Sequence, residues 1–208
     1  MSSIDETKCI YNSIARDFSR TRYKIWPGVS NFLDQFANYS NILDIGCGNG
    51  KNILAKPNLN FKGIDISSQM IQICQSKGLD CVESSMTLMP FQNDIFDGFI
   101  CIASYHHLSN EQDRIDALNE MYRILKYGGV GLITVWAMEQ PSDSKFKFTK
   151  SDEYVKWKCV ETKQEFYRYY HIYKINELET EIKRLQPKFK IQNVILEKGN
   201  WNIQVLKI

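Results

Sequence analysis

The hydrophobic pattern changes period partway along the chain. In "CIYNSIARDFSR", residues 9–20, Ile10, Tyr11, Ile14 and Phe18 recur at helical spacing. "TRYKIWPG" ends that pattern at Pro27 and Gly28, and "VSNFLDQFA" predicts a second, shorter helix. From residue 41, short apolar runs alternate with amphipathic ones. "NILDIG", "FKGIDI", "LDCVES", "FDGFICIAS" and "VGLITVWAM" predict strands. The last two are apolar almost throughout, as strands covered on both faces are. "NGKNILAK", "SSQMIQICQSK" and "SNEQDRIDALNEMYRILKYGG" predict the helices between them. Ser67 or Ser68 would cap the second; Ser109 would start the third and Gly128-Gly129 stop it. Such alternation builds a parallel sheet with helices on both faces. Residues 139–166 are polar and have no clear period. "YRYYHIYK", residues 167–174, suits a strand with alternating tyrosines or the wall of a site. "INELETEIKRL" predicts one more helix, and "KFKIQNVILEKGNWNIQVLKI" an antiparallel hairpin turning at "EKGN".

The 208 residues fit one domain, 1–208, with a helical cap at 1–40 and an insertion at 139–173. A net charge of +2 is too small to coat nucleic acid by charge alone, although it allows a local basic face. Six cysteines form no Cys-x-x-Cys pair and only three histidines are present, so no zinc site of the usual spacing is written and no metal is expected. Reduced cysteines without a secretory signal point to the cytoplasm or nucleus. No apolar run approaches the roughly 20 residues of a membrane helix.

The first strand ends in "LDIGCGNGK", which places Asp44, Gly46, Gly48 and Gly50 in the pattern D-x-G-x-G-x-G. Glycines let the backbone turn sharply and let a ligand lie against it. Ligands of such folds sit beyond the carboxyl ends of the strands. A nicotinamide dinucleotide wants G-x-G-x-x-G, and here the third glycine comes one residue early. S-adenosylmethionine needs backbone groups and an acid for its methionine tail, plus a carboxylate for its ribose. Asp65, ending "GID", can accept ribose hydroxyls from either cofactor.

"ILDIGCGNGK", "GIDIS", "LMPFQNDIFDGFICIASYHHLS" and "EMYRILKYGGVGLITVW" resemble, in that order, the motifs of class I S-adenosylmethionine-dependent methyltransferases. The resemblance implies a Rossmann-like α/β fold: seven strands, mostly parallel, with an antiparallel C-terminal hairpin. It also implies that Ile66, Ser85, Met86 and Ile102 join the glycine loop and Asp65 in holding the cofactor. Ser85 stands where the family often has an acid. "YNSIARDFSRTRYKIWPGVSNFL", "SYHHLS", "ITVWAMEQ", "RYYHIYKINELE" and "NWNIQVLKI" further resemble the tRNA wobble-uridine methyltransferases, which esterify 5-carboxymethyluridine at the first anticodon position. The stretch after "VWAMEQ" is shorter than in larger members.

That resemblance implies methyl transfer to a carboxylate that is already ionised at neutral pH, so alignment and exclusion of water matter more than a strong base. Arg22, His106, His107, Arg168 and His171 are the candidate catalytic residues, and Arg22, Trp136, Arg168 and Tyr169 the candidate acceptor contacts. Lysines and rings interleaved over residues 145–174 suit a single-stranded anticodon loop. The family also works with a small zinc-binding activator subunit that adds a strand to the sheet edge; here that edge would be "LDCVES", near Cys81–Ser84. A small-molecule methyltransferase and a non-catalytic cofactor-binding scaffold are the competing readings.

Overall fold

The computed structural model describes residues 3–160, 162–185 and 189–208. Nine strands run in chain order: β1 (Asn41–Ile45), β2 (Asn60–Asp65), β3 (Cys81–Glu83), β4 (Phe96–Ile102), β5 (Leu125–Trp136), β6 (Asp152–Lys158), β7 (Glu165–His171), β8 (Phe189–Glu197) and β9 (Asn200–Lys207). Six helices accompany them: α1 (Ser3–Arg20), α2 (Pro27–Leu33), α3 (Lys51–Leu54), α4 (Ser68–Ser76), α5 (Glu111–Ile124) and α6 (Glu177–Lys183). Seven strands form the central sheet in the order β3-β2-β1-β4-β5-β9-β8. β1 to β5 are parallel, and β9 runs antiparallel to both β5 and β8. The parallel part is what the alternation predicts, and the whole is the Rossmann-like seven-stranded sheet with an antiparallel C-terminal hairpin that the resemblance implies. The first residue of the predicted hairpin, Lys188, lies outside the described residues.

Each strand of the sheet centre presents apolar side chains in two directions. Leu43, Ile45, Phe99 and Cys101 pack with Ala117, Leu118 and Met121 of α5 and Leu178 and Ile182 of α6. Their neighbours of opposite parity, Ile42 and Ile100, pack with Val29, Phe32 and Leu33 of α2. That period of two is why nearly continuous apolar runs appear in β4 and β5. Among the described residues no helix is long and apolar enough to cross a membrane.

Local chemistry sets the element ends. Ser67 caps α4 by accepting from the Met70 N–H at 3.2 Å, and it donates to Asn12 Oδ1 of α1 at 2.7 Å. The cap of α5 is Asn110, not the expected Ser109; its Oδ1 takes the Asp113 N–H at 2.8 Å. Gly128 and Gly129 do not stop that helix either. The helix ends at Ile124, and the glycines lie inside β5, where pairing with β4 jumps from Phe96↔Leu125 to Gly98↔Val130. They serve an irregularity in the ladder, where Gly128 takes a φ of 76°.

β6 and β7 form a separate antiparallel pair within the segment between β5 and α6. β6 falls in the stretch without a visible period. Its inward positions are Glu153, Val155 and Trp157, and its outward ones include Tyr154, Lys156 and Lys158. One aliphatic residue in seven leaves no alternation to read. Asp17 of α1 fastens the pair to the body: its carboxylate accepts from Trp157 Nε1 and from the Val160 N–H, both at 3.1 Å.

Candidate functional site

The glycine loop turns between β1 and α3 because its glycines occupy left-handed backbone: φ is 71° at Gly46, 54° at Gly48 and 75° at Gly50. Three different constraints act there. A Cβ on Gly46 would lie 2.1 Å from Ser104 Oγ, so that glycine allows the approach of the segment after β4. A Cβ on Gly50 would lie 2.3 Å from Leu79 Cδ1, on the side away from the cleft. A Cβ on Gly48 would meet nothing within 4 Å and would enter the cleft that Gly48 lines. Gly50, expected to touch a cofactor, therefore shapes the loop instead.

The cleft opens above the loop. Its apolar walls include Phe18, Trp26, Ile66, Met86, Ile102 and Leu108, and Arg22, Asp65, Ser85 and His107 supply polar groups. Its cavity volume is about 150 Å³. Asp65 ends β2. Its Oδ2 accepts from the Gly48 N–H and its Oδ1 from the Ser67 N–H, each at 2.9 Å. Each oxygen keeps lone-pair capacity for a further donor, as a diol offers. Burial pushes this carboxyl up to about 6 against those two bonds. Ser85 Oγ is engaged with Thr87 Oγ1 at 2.8 Å.

Asp44 is absent from the cleft wall. β1 alternation turns it with Ile42 toward α2 and α3, where Oδ2 accepts from Asn52 Nδ2 at 3.3 Å and Oδ1 carries no bond. Burial pushes its carboxyl up to about 7. It supports the loop through Asn52, which does line the cleft.

α1 forms another wall through Ile4, Thr7, Tyr11 and Phe18. Asn49 of the loop donates to the Arg22 carbonyl at 2.7 Å and to Ser19 O at 3.1 Å, fixing the end of α1 and the residues after it. Arg22 then lies with its guanidinium 4.8 Å from the Phe18 ring centroid and 5.8 Å from that of Trp157. Arg168, on β7, approaches the same Trp157 ring at 5.1 Å and the Tyr170 ring at 5.2 Å. Arg168 is only 5% exposed and its Nε carries no hydrogen bond. Among the described residues no carboxylate pairs with either guanidinium. Burial holds Arg22 below the usual guanidinium range, yet an arginine remains charged at neutral pH. Arg22 in the cleft wall and Arg168 behind it, near the Tyr11 and Tyr170 hydroxyls, are two cations around one indole without a carboxylate among the described residues, and together they make an anion seat.

The paired histidines differ in setting. His107 lines the cleft; Tyr169 O lies 2.8 Å from its Nδ1 and the Tyr11 hydroxyl 2.9 Å from its Nε2. The carbonyl requires a proton on Nδ1, so Nε2 accepts from Tyr11. Burial pushes His107 down to about 4, which keeps it neutral. His106 is fully buried and off the cleft; its Nδ1 accepts from the Trp136 N–H at 3.2 Å and its ring stacks on Tyr170 at 4.6 Å. The two adjacent imidazoles nevertheless lie against each other, with centroids 4.7 Å apart.

β7 separates residues expected to act together. Arg168 and Tyr170 face inward, while Tyr169 and His171 lie on the opposite face, because strand side chains alternate. His171 is held between Glu177 Oε1 at 2.7 Å and Asp152 Oδ1 at 3.1 Å. Those carboxylates raise its pKa against burial. It clamps β6, β7 and α6 and does not reach the cleft. The Tyr169 hydroxyl also donates to Asp152; only its main-chain carbonyl touches the site. Trp136 packs against Tyr170, Phe146 and Phe148 at 4.6, 4.8 and 5.7 Å, beside the cofactor cleft rather than in it. Sequence reasoning missed Asn49, Asp17 and Tyr170. Three cysteines, Cys47, Cys74 and Cys81, also converge, although no Cys-x-x-Cys spacing announced them.

The comparisons place the chain among methyltransferases. Residues 43–133 match the family model described as "Methyltransferase domain". A tRNA (carboxymethyluridine(34)-5-O)-methyltransferase of Schizosaccharomyces pombe is 35% identical over 190 residues, covering 81% of this chain and 82% of that protein. The Arabidopsis thaliana protein of the same name is 44% identical over 135 residues, 65% of this chain and 33% of that one. The chain thus matches a third of that relative's length, and 23% and 20% of two others. A solved Haloferax volcanii methyltransferase, in complex with the Trm112 methyltransferase activator, shares the fold: TM-score 0.69, 15% identity, 96% of each chain.

Proposed function

The chain belongs to the tRNA (carboxymethyluridine(34)-5-O)-methyltransferase family, and from that premise we propose that it methylates the carboxylate of 5-carboxymethyluridine at the wobble position of tRNA, with S-adenosylmethionine as donor. The observation that carries this reading is the pair of guanidiniums against the Trp157 ring: Arg22 in the wall of the cleft floored by the glycine loop, and Arg168 buried behind it. A neutral acceptor would leave the buried Arg168 and the half-buried Arg22 without a counter-ion, and a carboxylate answers both.

The cleft residues fit the donor. Asp65 would take the ribose hydroxyls, Gly48 leaves room for close approach, and Ile66, Met86 and Ile102 would flank the adenine. When bound, the donor supplies an electrophilic methyl on a sulfonium. Arg22 and Arg168 would orient the acceptor carboxylate toward the donor subsite. That carboxylate is already ionised at neutral pH, so no residue of the site would have to remove a proton. Neutral His107 and Tyr11 fill the space between the two subsites without adding charge. Phe18 and Trp157 exclude water, which favours a reaction in which opposite charges vanish.

The tRNA contact extends over Trp136, Phe146 and Phe148, whose partly exposed rings suit stacking on neighbouring bases. A zinc-binding activator subunit completes the assembly as a heterodimer, with β3 as its docking edge: that strand is paired on one side only, by β2. The test is methyl transfer from radiolabelled donor, with and without the activator, to tRNA carrying or lacking the carboxymethyl group. Label is expected only in the carboxymethylated tRNA and is released by mild alkali as from an ester. Alkali-stable label, or equal label in both tRNAs, would sink the assignment.

A further inference from the structure

The sheet order β3-β2-β1 and the packing of α4 bring together three cysteines that lie far apart in sequence. Cys47 sits between Gly46 and Gly48, Cys74 lies on α4 and Cys81 begins β3. Their sulfurs all lie within 4.8 Å of one another, and none is in a disulfide. Exposures are 4%, 0% and 3%. Ile53, Ile71, Phe61 and Leu79 surround them. Gly63 of β2 makes the space: a Cβ there would lie 2.6 Å from Cys81 Sγ and 3.0 Å from Cys47 Sγ. Cys74 Sγ donates to Gly48 O at 3.1 Å, which ties the group to the glycine loop.

We propose that Cys47, Cys74 and Cys81 form a three-thiolate binding site for one soft monovalent cation, Cu(I). The donor set holds sulfur alone, which selects thiophilic ions. A structural zinc site closes with four protein ligands, and no fourth His, Cys, Asp or Glu joins this group among the described residues. Cu(I) is satisfied by three. With metal–sulfur bonds of about 2.3 Å, a trigonal site needs sulfurs about 4 Å apart. Each sulfur then moves by roughly 0.5 Å, within reach of small side-chain rotations. The balance is simple: three S–H bonds break, three Cu–S bonds form, three protons leave, and no electron is transferred. The site then carries a charge of −2. The cleft supplies the entry path, since Cys47 lines it.

The experiment reads copper without cofactor or tRNA, so its failure is separate from failure of the methyltransferase assignment. The full chain is titrated anaerobically with Cu(I) against a colorimetric copper chelator, and the loaded protein is studied by X-ray absorption. One equivalent is expected to resist the chelator, with three sulfur neighbours at a single distance. Cys74→Ser and Cys81→Ala should each weaken retention at least tenfold, with folding checked by circular dichroism. Cys9→Ser, at an exposed thiol, and Cys159→Ser, at a buried thiol outside the group, should retain it. Loss of binding in Cys9→Ser, full retention in folded Cys74→Ser, or a sulfur count of two would overturn the proposal.

Discussion

Replacing Arg168 by methionine should stabilise the protein while disabling it. Arg168 is 5% exposed and faces no carboxylate among the described residues, so the folded state carries a buried charge that only rings and the Tyr11 and Tyr170 hydroxyls offset. Desolvation of such a charge costs several kcal/mol. Two ring contacts, with Trp157 and Tyr170, return about 1–2 kcal/mol each. Methionine keeps a flexible apolar stem against the same rings and removes the charge. The net gain is about 1–2 kcal/mol, which raises Tm by roughly 2–8 °C for a chain of this size. The acceptor carboxylate meanwhile loses a charge-assisted bond worth about 1.5–3 kcal/mol. That lowers kcat/KM roughly 10- to 150-fold. Calorimetry gives Tm and donor affinity, and transfer to carboxymethylated tRNA gives the rate. Donor Kd should stay within threefold. A variant that melts lower and loses donor binding and transfer alike would show that Arg168 is a packing residue, and the anion seat would fall with it.

Three further outcomes follow from the same geometry. Gly48→Ala should lower donor affinity at least tenfold by filling the cleft, yet cost only about 1–2 kcal/mol of stability for its left-handed backbone; a calorimetric titration finding unchanged affinity refutes it. Donor affinity should be flat above pH 7 and fall below about pH 6, where Asp65 protonates and stops accepting from a diol; the sign follows from burial raising its pKa, and Asp65→Asn should be weak at every pH. Asp17→Ala should release Trp157 and Val160 and cut kcat/KM about tenfold or more with donor Kd within threefold; equal loss of both would mean that α1 itself had moved.

The donor half of the site was legible because its residues are adjacent in sequence and obey backbone rules. Gly46, Gly48 and Asp65 had to be where a turn and a strand end put them. The acceptor half was harder. Arg168 and His171 share an octapeptide, but three positions along a strand invert the direction of a side chain, and His171 went to its two carboxylates. Trp157 was hidden in β6, whose lysines erase the alternation. Asn49 reads as one more turn residue until the end of α1 is placed against it. Asp44 illustrates the reverse case: its motif was clear, but only the sheet shows which face of β1 it occupies. The cysteines were invisible to any spacing rule because β-strand order, not chain order, gathers them.

α1 was described as one wall of the cleft, but it also belongs to the acceptor side. Tyr11 meets His107, Asp17 holds the β6–β7 pair, and the segment after the helix carries Arg22. A ligand that settles this helix on one side therefore spends ordering entropy on behalf of the other. Under the proposed function, thermodynamic linkage then requires that the factor by which donor tightens tRNA binding equal the factor by which tRNA tightens donor binding. Demethylated donor and esterified acceptor have both lost the charge through which they attract each other, so that part of the coupling would vanish once the methyl has moved.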